Sequence, residues 1–258
     1  MSSEQNILAG HFAKKQLASR SWLISWSHRS RFQVALDLAE QFAGKKLLDY
    51  GCGDGSFLAM LMNTPCPPAI AVGAEAYAEV IDDCRQRFST ISALSFMAIE
   101  EIDKPDQDAA YDAVVCMEVL EHMLNPDSLL KKFSRLLAPT GKLLISVPVE
   151  TGLPLLIKQT VRRIAGWRGI GDYPGQTPYT FRELAKSVVA NGKSQHISRP
   201  VHMGSGGHQV HDHKGFNWMV LKKQLQQEFQ IERIVASPLT WLTPHLASQV
   251  WFLARKKS

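Results

Sequence analysis

Gly51, Gly53 and Gly55 alternate directly after the apolar run Leu47-Leu48-Asp49-Tyr50, and apolar residues resume at helical spacing from Phe57 and Leu58. This pattern predicts a strand, a tight turn and a helix. Glycines in such a turn let the backbone approach a ligand that a Cβ would keep away. In an open parallel sheet the crevice lies at the carboxyl ends of the strands. A dinucleotide turn would carry a third glycine where Ser56 stands, and Asp49 sits two residues ahead of the first glycine. Both departures disfavour a pyrophosphate, which would use the bare positive end of a helix. They favour a ligand with hydroxyls and positive charge. Glu75 stands beyond a second apolar run, Ala69 to Gly73. An acid about 20 residues past such glycines can accept hydrogen bonds from both hydroxyls of a ribose. It also suits the start of the following helix, where the macrodipole favours negative charge.

A second constellation is Glu118-Val119-Leu120-Glu121-His122, which offers two carboxylates and an imidazole on adjacent turns. A histidine from the later group His208, His211 and His213 could complete an oxygen- and nitrogen-rich shell for a divalent metal. The same histidines, with His196 and His202 and the glycines Gly204, Gly206 and Gly207, otherwise form a polar loop on the substrate side. We assign no metal ligand from sequence, because a histidine cluster binds metal only in the right geometry. The basic cluster His28-Arg29-Ser30-Arg31 reads as a solvated helix start or a substrate contact.

The elements that must hold these residues are those of one domain. With 258 residues and 45% hydrophobic content the chain can bury a sizeable core. The net charge of +5, from 29 basic and 24 acidic residues, is a mild excess that reads as ordinary surface charge. Four cysteines, Cys52, Cys66, Cys84 and Cys116, form no Cys-x-x-Cys pair, so neither a zinc ribbon nor a disulfide framework is indicated. The start of the chain lacks the basic and apolar regions of a signal peptide. No run of about 18 apolar residues is present, and a soluble, cytoplasmic protein is expected.

In chain order, residues 1–10 read as frayed, and helical patterns follow around residues 22–24 and 32–42, ended by Gly44. Strands are expected in the apolar run ahead of the glycine turn, at 69–73, near 94–98, in the apolar stretch that begins at Tyr111, and at 142–148. Helices are expected at 76–88 and up to Leu137, the latter with Asp127 as N-cap. Residues 155–168 put apolar and basic residues on opposite helix faces, suiting either a lid packed on the core or a membrane interface. Thr180-Phe181-Arg182-Glu183 is a capping box opening a helix at 181–190. A helix over 216–229 and strands at 231–236 and 249–254 complete the chain.

Leu47 to Leu58 resembles the first motif of class I S-adenosylmethionine-dependent methyltransferases, whose cofactor carries ribose hydroxyls, an amino group and a sulfonium but no phosphates. Tyr111 to Val147, with Glu-Val-Leu-Glu-His and the Leu-Ala-Pro-x-Gly turn, resembles the fourth and fifth strands of the same enzymes. The resemblance covers roughly residues 45 to 150. The Glu118–His122 segment is similar to that of ubiquinone-type O-methyltransferases, and small-RNA 2′-O-methyltransferases use the pattern with magnesium or manganese. His211-Asp212-His213 is loosely similar to a late stretch of the quinone enzymes.

The resemblance implies an α/β fold with a doubly wound, mostly parallel seven-stranded sheet, Rossmann-like, with an added helical and loop substrate cap. It implies a single domain over 1–258: N-terminal helices at 1–44, the cofactor core at 45–150, a cap insertion at 151–228 and a final antiparallel strand pair at 229–258. S-adenosylmethionine would be bound by Asp49, Gly51, Cys52 and Gly53, by Glu75 and Ala76, and by Met117. Many relatives place an acid at the end of the third strand to meet adenine. Ala98 stands there in this chain, so Ile99 or Glu100 takes that contact. His122 is implied near the acceptor, either as general base or packed on the neighbouring loop.

The leading expectation is methyl transfer to a hydroxyl of a small or lipid-like acceptor, with a peripheral membrane contact through residues 155–168. Nucleic acid is not expected, since the basic residues form no stripe interleaved with aromatics. The alternatives are metal-assisted methylation of an RNA terminus and a non-catalytic cofactor-binding subunit. A nicotinamide dehydrogenase is disfavoured by Ser56 and Asp49.

Overall fold

The computed structural model describes residues 3–16, 22–167, 177–204 and 207–257. Helices α1 (Ser3–Leu8), α2 (His11–Gln16) and α3 (Trp22–Ala39) precede the sheet. The expectation of frayed residues at 1–10 fails over α1, because Ile7 is buried in an apolar cluster with Phe57, Leu58 and Phe88. Burying one such side chain contributes about 1.5–3 kcal/mol, enough to hold a short helix that would not persist alone. Residues 22–39 form one continuous helix, and Gly44 turns the chain at φ +67° into β1 (Lys46–Tyr50).

The glycine turn leads into α4 (Ser56–Met62), β2 (Ile70–Glu75), α5 (Ala78–Arg87), β3 (Leu94–Ala98) and the short α6 (Ile99–Ile102). Next come β4 (Tyr111–Met117), a 3₁₀ turn at Leu120–His122, α7 (Pro126–Leu136) and β5 (Leu137–Pro148). The N-cap of α7 is Asn125 rather than Asp127, because Pro126 fills the first helical position. The Asn125 side chain accepts the Ser128 N–H at 3.2 Å.

Beyond β5 lie α8 (Gly152–Trp167), α9 (Phe181–Val188), a hairpin of β6 (Val201–Met203) and β7 (Gln209–His211), then α10 (Trp218–Glu228), β8 (Phe229–Ser237) and β9 (Gln249–Lys256). The hairpin falls in the stretch read from sequence only as a polar loop. Gly206 and Arg168 lie outside the described residues, as does the Trp167 side chain.

The seven strands run in the order β3-β2-β1-β4-β5-β9-β8, with β9 antiparallel to both its neighbours and the other pairings parallel. This is a doubly wound, mostly parallel sheet. Side chains alternate across it. Ala113 and Val115 join the cluster beneath α3 and α4, whereas Val114 and Cys116 join the cluster beneath α7 and α10. Burial on both faces explains why β4 reads as an unbroken apolar run. The strand order reverses between β1 and β4, so the loops after these two strands flank a crevice at their carboxyl ends.

Candidate active site

The turn after β1 is held by backbone bonds to the neighbouring strand. Gly51 and Cys52 donate to the Ala74 carbonyl at 2.8 and 3.1 Å. Gly51 has φ +76°, and a Cβ on it would come within 2.5 Å of the Val119 side chain, so residue 51 must be glycine for two separate reasons. Glu75, at the end of β2, accepts the Gly53 N–H at 2.9 Å and the Ala76 N–H at 2.7 Å. Its carboxylate therefore ties the glycine turn to the next strand end, and unused lone pairs remain on both oxygens.

Asp49 is fully buried, and among the described residues neither carboxylate oxygen has a hydrogen-bond partner. Burial, and after it the nearby Glu75 charge, pushes its carboxyl up to about 8. A buried carboxyl with no partner is costly unless something cationic or hydrogen-bonding meets it. The close backbone approach at Gly51 and the orphaned acid at Asp49 fit a compact ligand with an ammonium group. Cys52 is buried beside them, with its Sγ 3.7 Å from the Gly53 carbonyl.

Ala98 pairs with Glu75 across β2 and β3, so Ile99 follows directly beside the Glu75 end of the crevice. Glu101 turns back to accept the Ala98 N–H at 3.1 Å, while Glu100 is exposed. Met117 ends β4, half-buried and paired with Ser146.

Past β4 the chain takes a sharp path, with Glu118 at φ +57°. This left-handed conformation costs a non-glycine residue about 1–2 kcal/mol. The Glu118 side chain is held on the outer strands. Its Oε1 accepts the Gln249 amide at 2.6 Å and the Ser146 hydroxyl at 3.2 Å, and its Oε2 lies 3.9 Å from the Arg31 guanidinium. Three residues before Arg31 on α3, His28 is half-buried, and burial lowers its pKa to about 4, keeping the imidazole neutral.

Glu121, His122 and His213 come together instead, each offering a donor atom within 4.8 Å of the others. The His122 Nδ1 lies 2.8 Å from the His211 carbonyl, which can only accept, so Nδ1 carries the proton. A neutral His122 thus presents an unprotonated Nε2. That atom is 3.8 Å from Glu121 Oε1, and the His122 ring meets the His213 ring edge-on at 4.9 Å. Glu121 is fully buried, with neither oxygen hydrogen-bonded among the described residues, and burial, then the Glu118 charge, raises its carboxyl well above the usual range. Burial also lowers the pKa of His213, favouring its neutral form.

Arg199 braces this cluster by donating to the Glu121 and Asp212 carbonyls and lying over the Phe216 ring. Asp212 in turn accepts the N–H groups of Thr177 and Lys214 at 3.0 and 2.8 Å. Neither Arg199 nor Asp212 stood out as a bracing residue in the sequence. Both act through main-chain groups, and main-chain partners leave no residue-type pattern.

On α8 the inward side mixes apolar and basic residues, with Leu155 fully buried beside the basic side chains. Lys158 turns inward and donates to Glu150 at 2.9 Å and to the Val149 and Ser248 carbonyls at 3.0 and 3.1 Å. Arg162 approaches Glu150 at 3.8 Å. Leu153, Ile157 and Val161 are each about half exposed, with Leu156 beside them. The buried Glu150 carboxylate requires cationic partners, and meeting that need draws Lys158 and Arg162 of α8 toward it.

A family model described as a methyltransferase domain matches residues 26–198. The ubiquinone biosynthesis O-methyltransferase of Vibrio atlanticus is 31% identical over 156 residues, covering 57% of this chain and 65% of that protein. The protein of the same name from Coxiella burnetii is 29% identical over 155 residues, covering 56% of this chain and 64% of its own. The chain thus matches just under two thirds of these relatives' length. A solved S-adenosylmethionine-dependent methyltransferase from Aquifex aeolicus has a TM-score of 0.56 at 11% identity, with 100% of each chain covered, a likeness of fold alone.

Proposed function

This chain belongs to the methyltransferase-domain family as an S-adenosylmethionine-dependent class I enzyme, and from that premise we propose that it methylates a hydroxyl group of a small or lipophilic molecule. The single observation that carries the hydroxyl reading is the fixed tautomer of His122, which leaves Nε2 free to take a proton beside the crevice. The O-methyltransferase names of the two relatives support the same choice of acceptor atom.

When bound, S-adenosylmethionine supplies an electrophilic methyl group on a sulfonium leaving group. In this reading Asp49 meets the cofactor's cationic amino acid end, and Gly51, Cys52 and Gly53 give the close backbone approach. Glu75 and Ala76 hold the ribose, while Ile99 and Met117 contact the adenine side. His122 Nε2 accepts the acceptor's hydroxyl proton, an effect worth about 10²–10⁴-fold in rate. Aligning the acceptor oxygen is worth more, on the order of 7–11 kcal/mol in favourable intramolecular models.

The convergence of Glu121, His122 and His213 favours a second reading, in which the three hold a divalent cation. Such an ion would polarise the acceptor oxygen as a Lewis acid. The outward apolar row of α8 supports a lipophilic acceptor reached at a membrane surface.

Methyl transfer from labelled S-adenosylmethionine to a panel of phenolic and prenylated hydroxyl acceptors tests the proposal. His122→Asn is expected to lower kcat by about 10²–10⁴-fold while leaving cofactor affinity unchanged. Label appearing only on nitrogen or carbon, or a His122→Asn enzyme as fast as wild type, would refute it. Loss of activity on chelation, restored by magnesium or manganese, would favour the cation reading over the base.

A further inference from the structure

Asp54 lies between two glycines of the cofactor turn, yet its carboxylate serves the N-terminal arm. One oxygen accepts the Ala13 N–H of α2 at 2.8 Å, and the other accepts the Ser56 N–H at the start of α4 at 3.2 Å. The side chain is 5% exposed. Gly10, between α1 and α2, permits this approach, since a Cβ there would come 2.4 Å from Asp54 Oδ2.

Arg87 of α5 closes the same junction from the other side. Its guanidinium donates to the Asp54 carbonyl at 2.6 Å and to the Asn6 carbonyl at 3.2 Å. Asp83 pairs with it at 2.7 Å, and Phe88 lies beneath at 4.7 Å, so the guanidinium is held on two sides. Ile7 and Ala13 bury their side chains under the arm. Ala13 is thus joined to Asp54 across 41 positions, and Asn6 to Arg87 across 81.

Gly51, Gly53 and Gly55 all have positive φ, and a turn so rich in glycine loses much conformational freedom when it orders. Asp54 is the one residue between Gly53 and Gly55, and the arm supplies one of the two N–H groups that its carboxylate accepts. We propose that Asp54 and Arg87 are positioning residues of the cofactor site, and that docking of residues 3–16 on the glycine turn is thermodynamically coupled to S-adenosylmethionine binding. The proposal rests on the reading that this turn binds S-adenosylmethionine. An arm that orders the turn lowers the entropic cost of binding, and by reciprocity the bound ligand must hold the arm down.

The test uses the full chain and S-adenosylmethionine itself. Calorimetric affinity is measured for wild type, Asp54→Ala, Asp54→Asn, Gly10→Val and Arg87→Lys, alongside tryptic cleavage at Lys14 and Lys15 with and without the ligand. Asp54→Ala and Gly10→Val are expected to bind about tenfold more weakly. Asp54→Asn, which keeps one acceptor oxygen, should fall between Asp54→Ala and wild type. In wild type the ligand should slow cleavage at Lys14 and Lys15. A role confined to stability would lower the melting temperature of these variants without giving ligand-dependent protection. If wild type binds but its arm is cut equally fast with and without ligand, or Arg87→Lys and Gly10→Val bind as wild type, the coupling is wrong. If wild type does not bind at all, the cofactor reading falls first and this proposal with it.

Discussion

Asp49 carries a proton-linked signature of its burial. Burial, and after it the Glu75 charge, pushes its folded carboxyl up to about 8, against about 3.9 for an exposed aspartate. Between these values the folded chain holds a proton that the unfolded chain has lost. The stability contributed by the protonated form is therefore full below about 4 and is lost as pH rises toward 8. A cationic ligand favours the ionised acid. S-adenosylmethionine binding is expected to tighten as pH rises toward 8 and to release a proton. Calorimetry in buffers of different ionisation enthalpy should detect that proton in wild type and lose it in Asp49→Asn. Equal proton release from both proteins would remove Asp49 from the site. The presence of this acid was legible in the sequence from its spacing to Gly51. Its lack of any partner was not, because burial is set by strands β2 and β4 on either side.

At the scale of elements, the capping box at the start of α9 was legible residue by residue. Thr180 Oγ1 accepts the Glu183 N–H at 3.3 Å, and Glu183 accepts the Thr180 N–H at 2.8 Å. Lys214 pairs with the same Glu183 at 2.9 Å, fastening α9 to the segment that carries His213. Thr180→Ala is expected to cost about 1 kcal/mol, read as a shift in the denaturant midpoint with unchanged m-value. No shift would mean that α9 is held by its tertiary contacts alone. The glycine turn and the strands β1 to β4 were legible because local pattern fixes them, whereas β5 already starts at Leu137, where Ala138 to Gly141 reads as a turn. The inward face of α8 was not, since the deciding residue, Glu150, precedes that helix and shows no periodicity with it. The hairpin β6–β7 escaped because its histidines and glycines give no alternation. Glu118 was grouped with Glu121 and His122 by spacing, but Gln249, 131 positions away, draws it elsewhere.

For the whole molecule, the sheet reversal between β1 and β4 brings the glycine turn and the His122 cluster to the same crevice although about 70 residues separate them. No helix among the described residues is long and apolar enough to cross a membrane. The outward row of α8 nevertheless gives this surface an apolar strip, and nearby on the chain Phe181 is 87% exposed. Wild type is expected to float with vesicles of mixed neutral and anionic phospholipid, and Ile157→Glu to float less. Wild type remaining with the unbound protein would contradict a membrane-facing role. Calorimetric titration with S-adenosylmethionine tests the cofactor site itself. Wild type should bind, and Glu75→Ala should lose roughly 1.5–3 kcal/mol, about one to two decades of affinity. Absence of binding to folded wild type, or a Glu75→Ala protein that binds as tightly, would contradict the account.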